Sequence, residues 1–184
     1  MDLASRRIGM LHAAFARTLV EELGEEEGKR LIKAAIKRYG KIVGEKTKEA
    51  VEEQGWELSP ENFGRGPSRT LPRFGNCESS EVIETEDGKK KSRVKGCSMG
   101  KVWRELDEEE LGSLYCYVDA AKYMYYNPLY KLTHNKTMPL TGGDICEFEL
   151  KETSEEEREL FFESDSEWIK LDNDIEKRVD QSGM

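Results

Sequence analysis

Between Cys116 and Phe148 the chain sets Cys116, Asp119, Asn127, His134, Asp144 and Cys146 among aromatic and aliphatic residues that would otherwise make an ordinary core. A polar group in such surroundings costs free energy unless it finds a partner, so a cluster of them marks a candidate site. Thiols and carboxylates together suit addition to an electrophilic carbon, with the carboxylate moving the proton. Asp119 is the most telling of the set, because it interrupts an apolar stripe between Val118 and Ala120. A carboxylate buried there is either paired or carries a raised pKa. Cys116, Asp119, Cys146 and His134 are therefore the candidate catalytic residues. His134 is one of only two histidines, and its place between Thr133 and Asn135 suits a catalytic ring or a solvent-facing one.

Each of these residues has a structural alternative. A free thiol is most often a small buried hydrophobe. Asp144 follows two glycines, where it can cap a turn, and Asn127 precedes Pro128, where it can end a helix. Cys, His and Asp side chains also offer a metal site, but their spacing matches no zinc finger or ribbon, and the chain has no HExxH, P-loop, GxGxxG or GxSxG motif. No cofactor is expected, and a metal remains the alternative.

The elements that position these residues follow from apolar spacing. Ile8, Leu11, Phe15 and Leu19 predict a helix over residues 3–22, with Gly24 as its stop. Leu31, Ile32, Ala35, Ile36, Tyr39 and Val43 predict a second over 25–53, and His12 on the first reads as structural. Gly40 and Gly44 cost that second helix about 1 kcal/mol each relative to alanine, which points to close packing there. Residues 54–75 form a connector touching the core through Trp56, Phe63 and Leu71. Residues 80–85 and 91–95 flank Asp87-Gly88, the signature of a tight hairpin. A short helix over 98–105 places Cys97 at its start, where the dipole and free N–H groups can lower a thiol pKa.

Asp107 and Glu110 have the spacing of a capping box, predicting one helix from Asp107 to Asn127. On it Cys116, Asp119 and Tyr123 share a face. Residues 131–138 and 145–150 read as strands, the second with Cys146 and Phe148 on one side. Residues 1–151 are expected to form one domain. Residues 152–184 are expected to form an acidic C-terminal extension, polar at first and ending in an amphipathic helix marked by Trp168, Leu171, Ile175 and Val179. That helix can dock on the body or on a second copy of the chain, making a homodimer.

Of a net charge of −9, eight excess negatives lie in residues 152–184 (12 acidic against 4 basic side chains). Such a surface argues against nucleic-acid binding, which needs a basic footprint. It does not exclude a small anionic ligand, since Arg73, Lys95, Lys101, Arg104, Lys131 and Lys136 flank the candidate segments. The N-terminus lacks a signal-peptide pattern, no segment is apolar enough to span a membrane, and the four cysteines are scattered without a CxxC pair. The expectation is a cytoplasmic chain with reduced thiols and a small-molecule substrate.

The pieces Cys97 with Trp103, Tyr115-Cys116-x-x-Asp119, Asn127-Pro128, Lys136-Thr137-x-x-Leu140 and Gly143-Asp144-x-Cys146-x-Phe148 form a spaced set. In that set the chain resembles the L-2-amino-thiazoline-4-carboxylic acid hydrolase-like family. Members often carry Cys-Pro where this chain has Cys97-Ser98. The resemblance implies a small α+β fold; with the elements above, the expectation is N-terminal helices packed on a small antiparallel sheet, with an additional C-terminal helix. It also implies a hydrolase that opens a carboxylate-bearing cyclic amidine at a C=N or C–S bond. In that reading Cys116 or Cys146, ahead of Cys97, adds to the ring carbon. Asp119 serves as acid or base, and Asn127 and His134 orient the ring. Cys97, Asp144, Tyr123 and Lys136 complete the substrate contacts. The Gly-Asp-x-Cys-x-Phe segment is also similar to the end of 4-vinyl-reductase-type domains, which implies binding without turnover as the alternative.

Overall fold

The computed structural model describes residues 3–67, 77–84, 88, 90–164, 167–172 and 175. Arg73, Leu71, Asp87 and Val179, named above, lie outside them. The chain is α+β, with helices packed against a four-stranded antiparallel sheet.

Helix α1 spans Leu3–Leu23 and α2 spans Glu25–Glu52, as the spacing predicts. The buried face of α1, however, is Ser5, Gly9, Ala13 and Ala16, while Leu11 and Phe15 are exposed. Small residues win that face because helix α3, Ser98–Glu105, lies directly on it: Trp103 Nε1 donates to the Gly9 carbonyl at 3.0 Å. On α2 the buried positions include Ile32, Ile36, Gly40, Val43 and Gly44, so Ala35 belongs to the exposed side. Gly40 and Gly44 face Ala121, Lys122 and Tyr125 at distances that leave no room for a Cβ. The close packing expected of these glycines is present, and its partner is helix α5, Val118–Tyr126.

The single helix expected from Asp107 to Asn127 is instead three pieces. Helix α4 covers Glu109–Ser113, a 3-10 turn covers Leu114–Tyr117, and α5 follows. Asp107 is not the N-cap; it adopts a positive φ of 56°, and Glu108 occupies the cap position. The 3-10 turn keeps Leu114, Tyr115 and Tyr117 in the core. α5 ends at Asn127, whose Oδ1 accepts from Leu129 N–H and whose Nδ2 donates to the Leu58 carbonyl.

Strands β1 (Ser79–Glu84), β2 (Lys90–Lys95), β3 (Tyr130–Lys136) and β4 (Ile145–Glu152) run in the order β1-β2-β4-β3. The β1–β2 pairing stops at Glu84 and Lys90. Between β3 and β4 a one-turn helix, α6, covers Met138–Thr141. Arg104 fastens this connection by donating to the Gly143 carbonyl at 2.7 Å.

The polar start of the C-terminal segment forms helix α7, Glu155–Glu163, opened by a full capping box of Ser154 and Glu157, and Lys131 of β3 pairs with Glu157. A 3-10 turn, Glu167–Asp172, follows. Phe161, Trp168, Ile169, Leu171 and Ile175 are buried in the same cluster as Ala13, Ile36 and Trp103. These described residues dock on the body, one of the two placements expected for the C-terminal segment. Among the described residues no helix is long and apolar enough to cross a membrane.

Candidate active site

A cavity of about 240 Å³ lies between the sheet and the helices. Side chains of one sheet face form its floor. Val94 pairs with Cys146, Ser92 with Phe148, and Phe148 with His134, so residues from β2, β4 and β3 stand in adjacent rows. The strand period of two puts Cys146 and Phe148 on that face together, as the sequence indicates. The roof comes from Tyr115, Cys116, Asp119, Lys122 and Tyr123, and α3 closes one end with Met99 and Trp103. All four cysteines, Cys77, Cys97, Cys116 and Cys146, line this one space, and all are free thiols.

Six of the sequence candidates are therefore brought together: Cys97, Cys116, Asp119, Tyr123, His134 and Cys146. Asn127, Lys136 and Asp144 do not line the cavity. Asn127 is engaged in ending α5, and Lys136 lies beyond an irregularity in the β3–β4 register that follows His134. Asp144 lies in the turn after Gly142 and Gly143, where its carbonyl accepts from Gly96 N–H at 3.0 Å.

His134 is the electrostatic centre. It is not solvent-facing; it is 1% exposed. Its Nδ1 lies 2.6 Å from Asp172 Oδ2, and its backbone N–H donates to Asp172 Oδ1 at 3.0 Å. On the opposite edge its Nε2 lies 3.4 Å from Asp119 Oδ2. Burial opposes a charged ring, but the carboxylates of Asp172 and Asp119 outweigh it and raise the pKa to about 9. The imidazole is thus a cation at neutral pH.

Of the two alternatives open for Asp119, a partner or a raised pKa, the structure takes the first. Burial pushes the pKa up, but the ammonium of Lys122, one helical turn on, and the ring of His134 hold the carboxyl below its usual range. Asp119 is accordingly ionised, and a fifth of its side chain remains accessible at the cavity wall.

The thiols differ from one another. Burial drives Cys116 well above the ordinary thiol range. It carries Cys146 to about 12, even though Met138 N–H donates to its sulfur at 3.1 Å. Cys77 is pushed to about 11, again by burial. Cys97 is also raised by burial, but the N–H groups of Gly100 and Met99 at the start of α3 oppose the rise, without a side-chain cap hydrogen bond to the sulfur. The position after Cys97 is the first of α3, where proline and serine are both well accommodated. The Cys-Ser departure from the family pattern leaves this helix start intact.

Three residues of the site were not found from sequence. Lys122 is three positions from Asp119 on a helix, a spacing that does signal an ion pair. Asp172 sits beside Leu171 within the stripe of Trp168, Leu171 and Ile175, so its burial was signalled even though its partner was not. Cys77 follows a connector with no periodicity and carried no signal. Among the described residues no three His, Cys, Asp or Glu side chains are placed to hold a metal ion.

No curated protein and no solved structure matches the chain. A family model, L-2-amino-thiazoline-4-carboxylic acid hydrolase, matches residues 5–150. This span contains the floor of the cavity and the whole of its roof. The chain belongs to the L-2-amino-thiazoline-4-carboxylic acid hydrolase family.

Proposed function

We propose that the protein is a hydrolase that opens a small, carboxylate-bearing cyclic amidine, of the L-2-amino-thiazoline-4-carboxylate type, within the thiol-lined cavity. One observation carries the reading: the Asp119 carboxyl and the His134 ring meet, 3.4 Å apart, at the wall of a cavity that also holds four free thiols, and each favours the charged form of the other. A base, an acid and a nucleophile are all needed to break such a ring. Cys97 is the preferred nucleophile, ahead of Cys116 and Cys146, because two backbone N–H groups favour its thiolate. This reverses the ranking drawn from the sequence.

In this scheme the Cys97 sulfur forms a bond to the amidine carbon as its proton passes to Asp119. The C=N electron pair moves to nitrogen, which takes a proton from His134. Collapse breaks the ring C–S bond, with Asp119 returning its proton to the departing sulfur. Water then adds to the enzyme-bound isothiourea carbon and expels the Cys97 sulfur, which regains a proton as the ring-opened ureido acid leaves. Lys122, already beside Asp119, gives the cavity a cation for the substrate carboxylate. General acid–base groups of this kind contribute about 10²–10⁴-fold each.

The test is incubation with L-2-amino-thiazoline-4-carboxylate, following by mass spectrometry a product heavier by one water. The wild type should turn over, and Asp119→Asn should lose about 100-fold or more. Unchanged turnover in that variant would sink the mechanism.

A binding module without turnover is the second reading. It is favoured by the thiols, all raised by burial and hence protonated at neutral pH. Saturable binding of the same compound with no product over long incubation would select it.

A further inference from the structure

We propose that Asp172, carried by the C-terminal segment outside the family-matched residues, is the positioning residue that locks His134 with its Nε2 edge turned to Asp119. This makes residues 167–172 a working part of the site, and it rests on the hydrolase reading above. β3 is an edge strand of the sheet, so its outer backbone groups have no strand to pair with. Asp172 occupies that edge and takes two bonds from one residue, the backbone N–H of His134 at 3.0 Å and Nδ1 at 2.6 Å. Two contacts to the same carboxylate fix both the position of the ring and its rotation.

The carboxylate is itself held firmly. It is 1% exposed, at the end of a 3-10 turn whose Trp168 packs edge-on against Tyr117 and Phe161, each with ring centroids 5.8 Å apart.

The surroundings of the ring define its charge balance. α5 presents Asp119 with Lys122 behind it, β4 presents Phe148 and Cys146, the preceding 3-10 turn presents Cys116, and the C-terminal segment presents Asp172. Two acidic side chains, Asp119 and Asp172, face two basic ones, His134 and Lys122, so the formal charges of the set balance. Removing the charge of Asp172 while keeping its shape should therefore change the protonation of His134 and not only its stability. An asparagine can still accept from the His134 backbone N–H. Its amide nitrogen then faces Nδ1, which must become an acceptor, leaving the remaining ring proton on Nε2.

The experiment is NMR of the imidazole nitrogens in the full-length protein, where only two histidines exist and His12→Gln assigns the pair. In the wild type His134 should carry protons on both nitrogens at pH 7.5. In Asp172→Asn it should be neutral at that pH with its proton on Nε2, and kcat should fall about 100-fold with KM changed less than kcat. Asp172→Glu, which restores the charge, should recover part of the protonated signal. A wild-type His134 that titrates with an ordinary midpoint near pH 6.5 overturns the proposal even if the variants do not fold. So does an Asp172→Asn ring with wild-type protonation, or a shifted ring with unchanged kcat. Absence of any turnover in the wild type would instead overturn the hydrolase reading, with the NMR result still deciding whether Asp172 governs His134.

Discussion

Gly44 of α2 meets Lys122 of α5 backbone to backbone: a Cβ on Gly44 would stand 2.5 Å from the Lys122 carbonyl oxygen. Lys122 is also the residue that pairs with Asp119, so the depth to which α5 settles on α2 sets where the Asp119 carboxylate lies. Alanine at position 44 gains about 1 kcal/mol of helix propensity, but the backbone oxygen it meets cannot swing aside. Overpacking of this kind costs about 1–3 kcal/mol, or roughly 2–12 °C in Tm for a chain of this size. Gly44→Ala should lower Tm by several degrees in a thermal melt. It should lower turnover by more than the surface change Ile42→Ala on the exposed side of the same helix.

His134 gives stability a distinct pH dependence. Its pKa is raised from 6.5 to about 9, so its contribution is fully present below pH 6.5 and is lost as pH rises through 9. His12 works in the opposite sense and in another window. Burial lowers its pKa from 6.5, so its effect is felt as pH falls below that value. Between pH 6.5 and 8 the fall in Tm should therefore report His134, and His134→Gln should flatten it. A wild-type Tm that is level across that range would contradict the two-carboxylate arrangement.

Thiol reactivity should rank the cysteines. With Cys146 near 12 and Cys77 near 11, little thiolate exists at neutral pH, and the thiolate is the reactive form. Cys97 has two amide N–H groups favouring its anion. Brief treatment with a small alkylating reagent at pH 7.5, followed by peptide mass mapping, should mark Cys97 before Cys116 and Cys146. First modification at Cys146 would remove Cys97 as the preferred nucleophile.

Much of this site was legible because it rests on short-range periodicity. The spacing of Asp119 and Tyr123 within α5 and the alternation of Cys146 and Phe148 within β4 each place side chains on one face of a single element. What sequence spacing could not give is the side of α1 that packs: its larger residues, Leu11 and Phe15, are exposed, and Gly9 and Ala13 are buried. That choice is made by the approach of Trp103, far along the chain. The protonation of Asp119 was likewise out of reach, because the sign of its shift depends on Lys122 and on an imidazole fifteen residues away. Burial alone, the one feature visible in the apolar stripe, points in the wrong direction.

Lys122 is the residue on which charge and substrate recognition converge. Its ammonium is the largest influence holding the Asp119 carboxyl down against burial, and it lies at the wall of the cavity. Replacing it by methionine keeps the length and apolar packing of the stem and removes the cation. Asp119 should then bind its proton more readily, so the acid limb of kcat/KM must move to higher pH. The carboxylate-bearing substrate loses a counter-charge at the same time, so KM should rise about tenfold, the equivalent of one charge-assisted hydrogen bond of about 1.4 kcal/mol. Both changes are read from one set of pH–rate profiles. An acid limb that stays in place while KM rises would separate the two roles and leave Lys122 as a substrate contact alone.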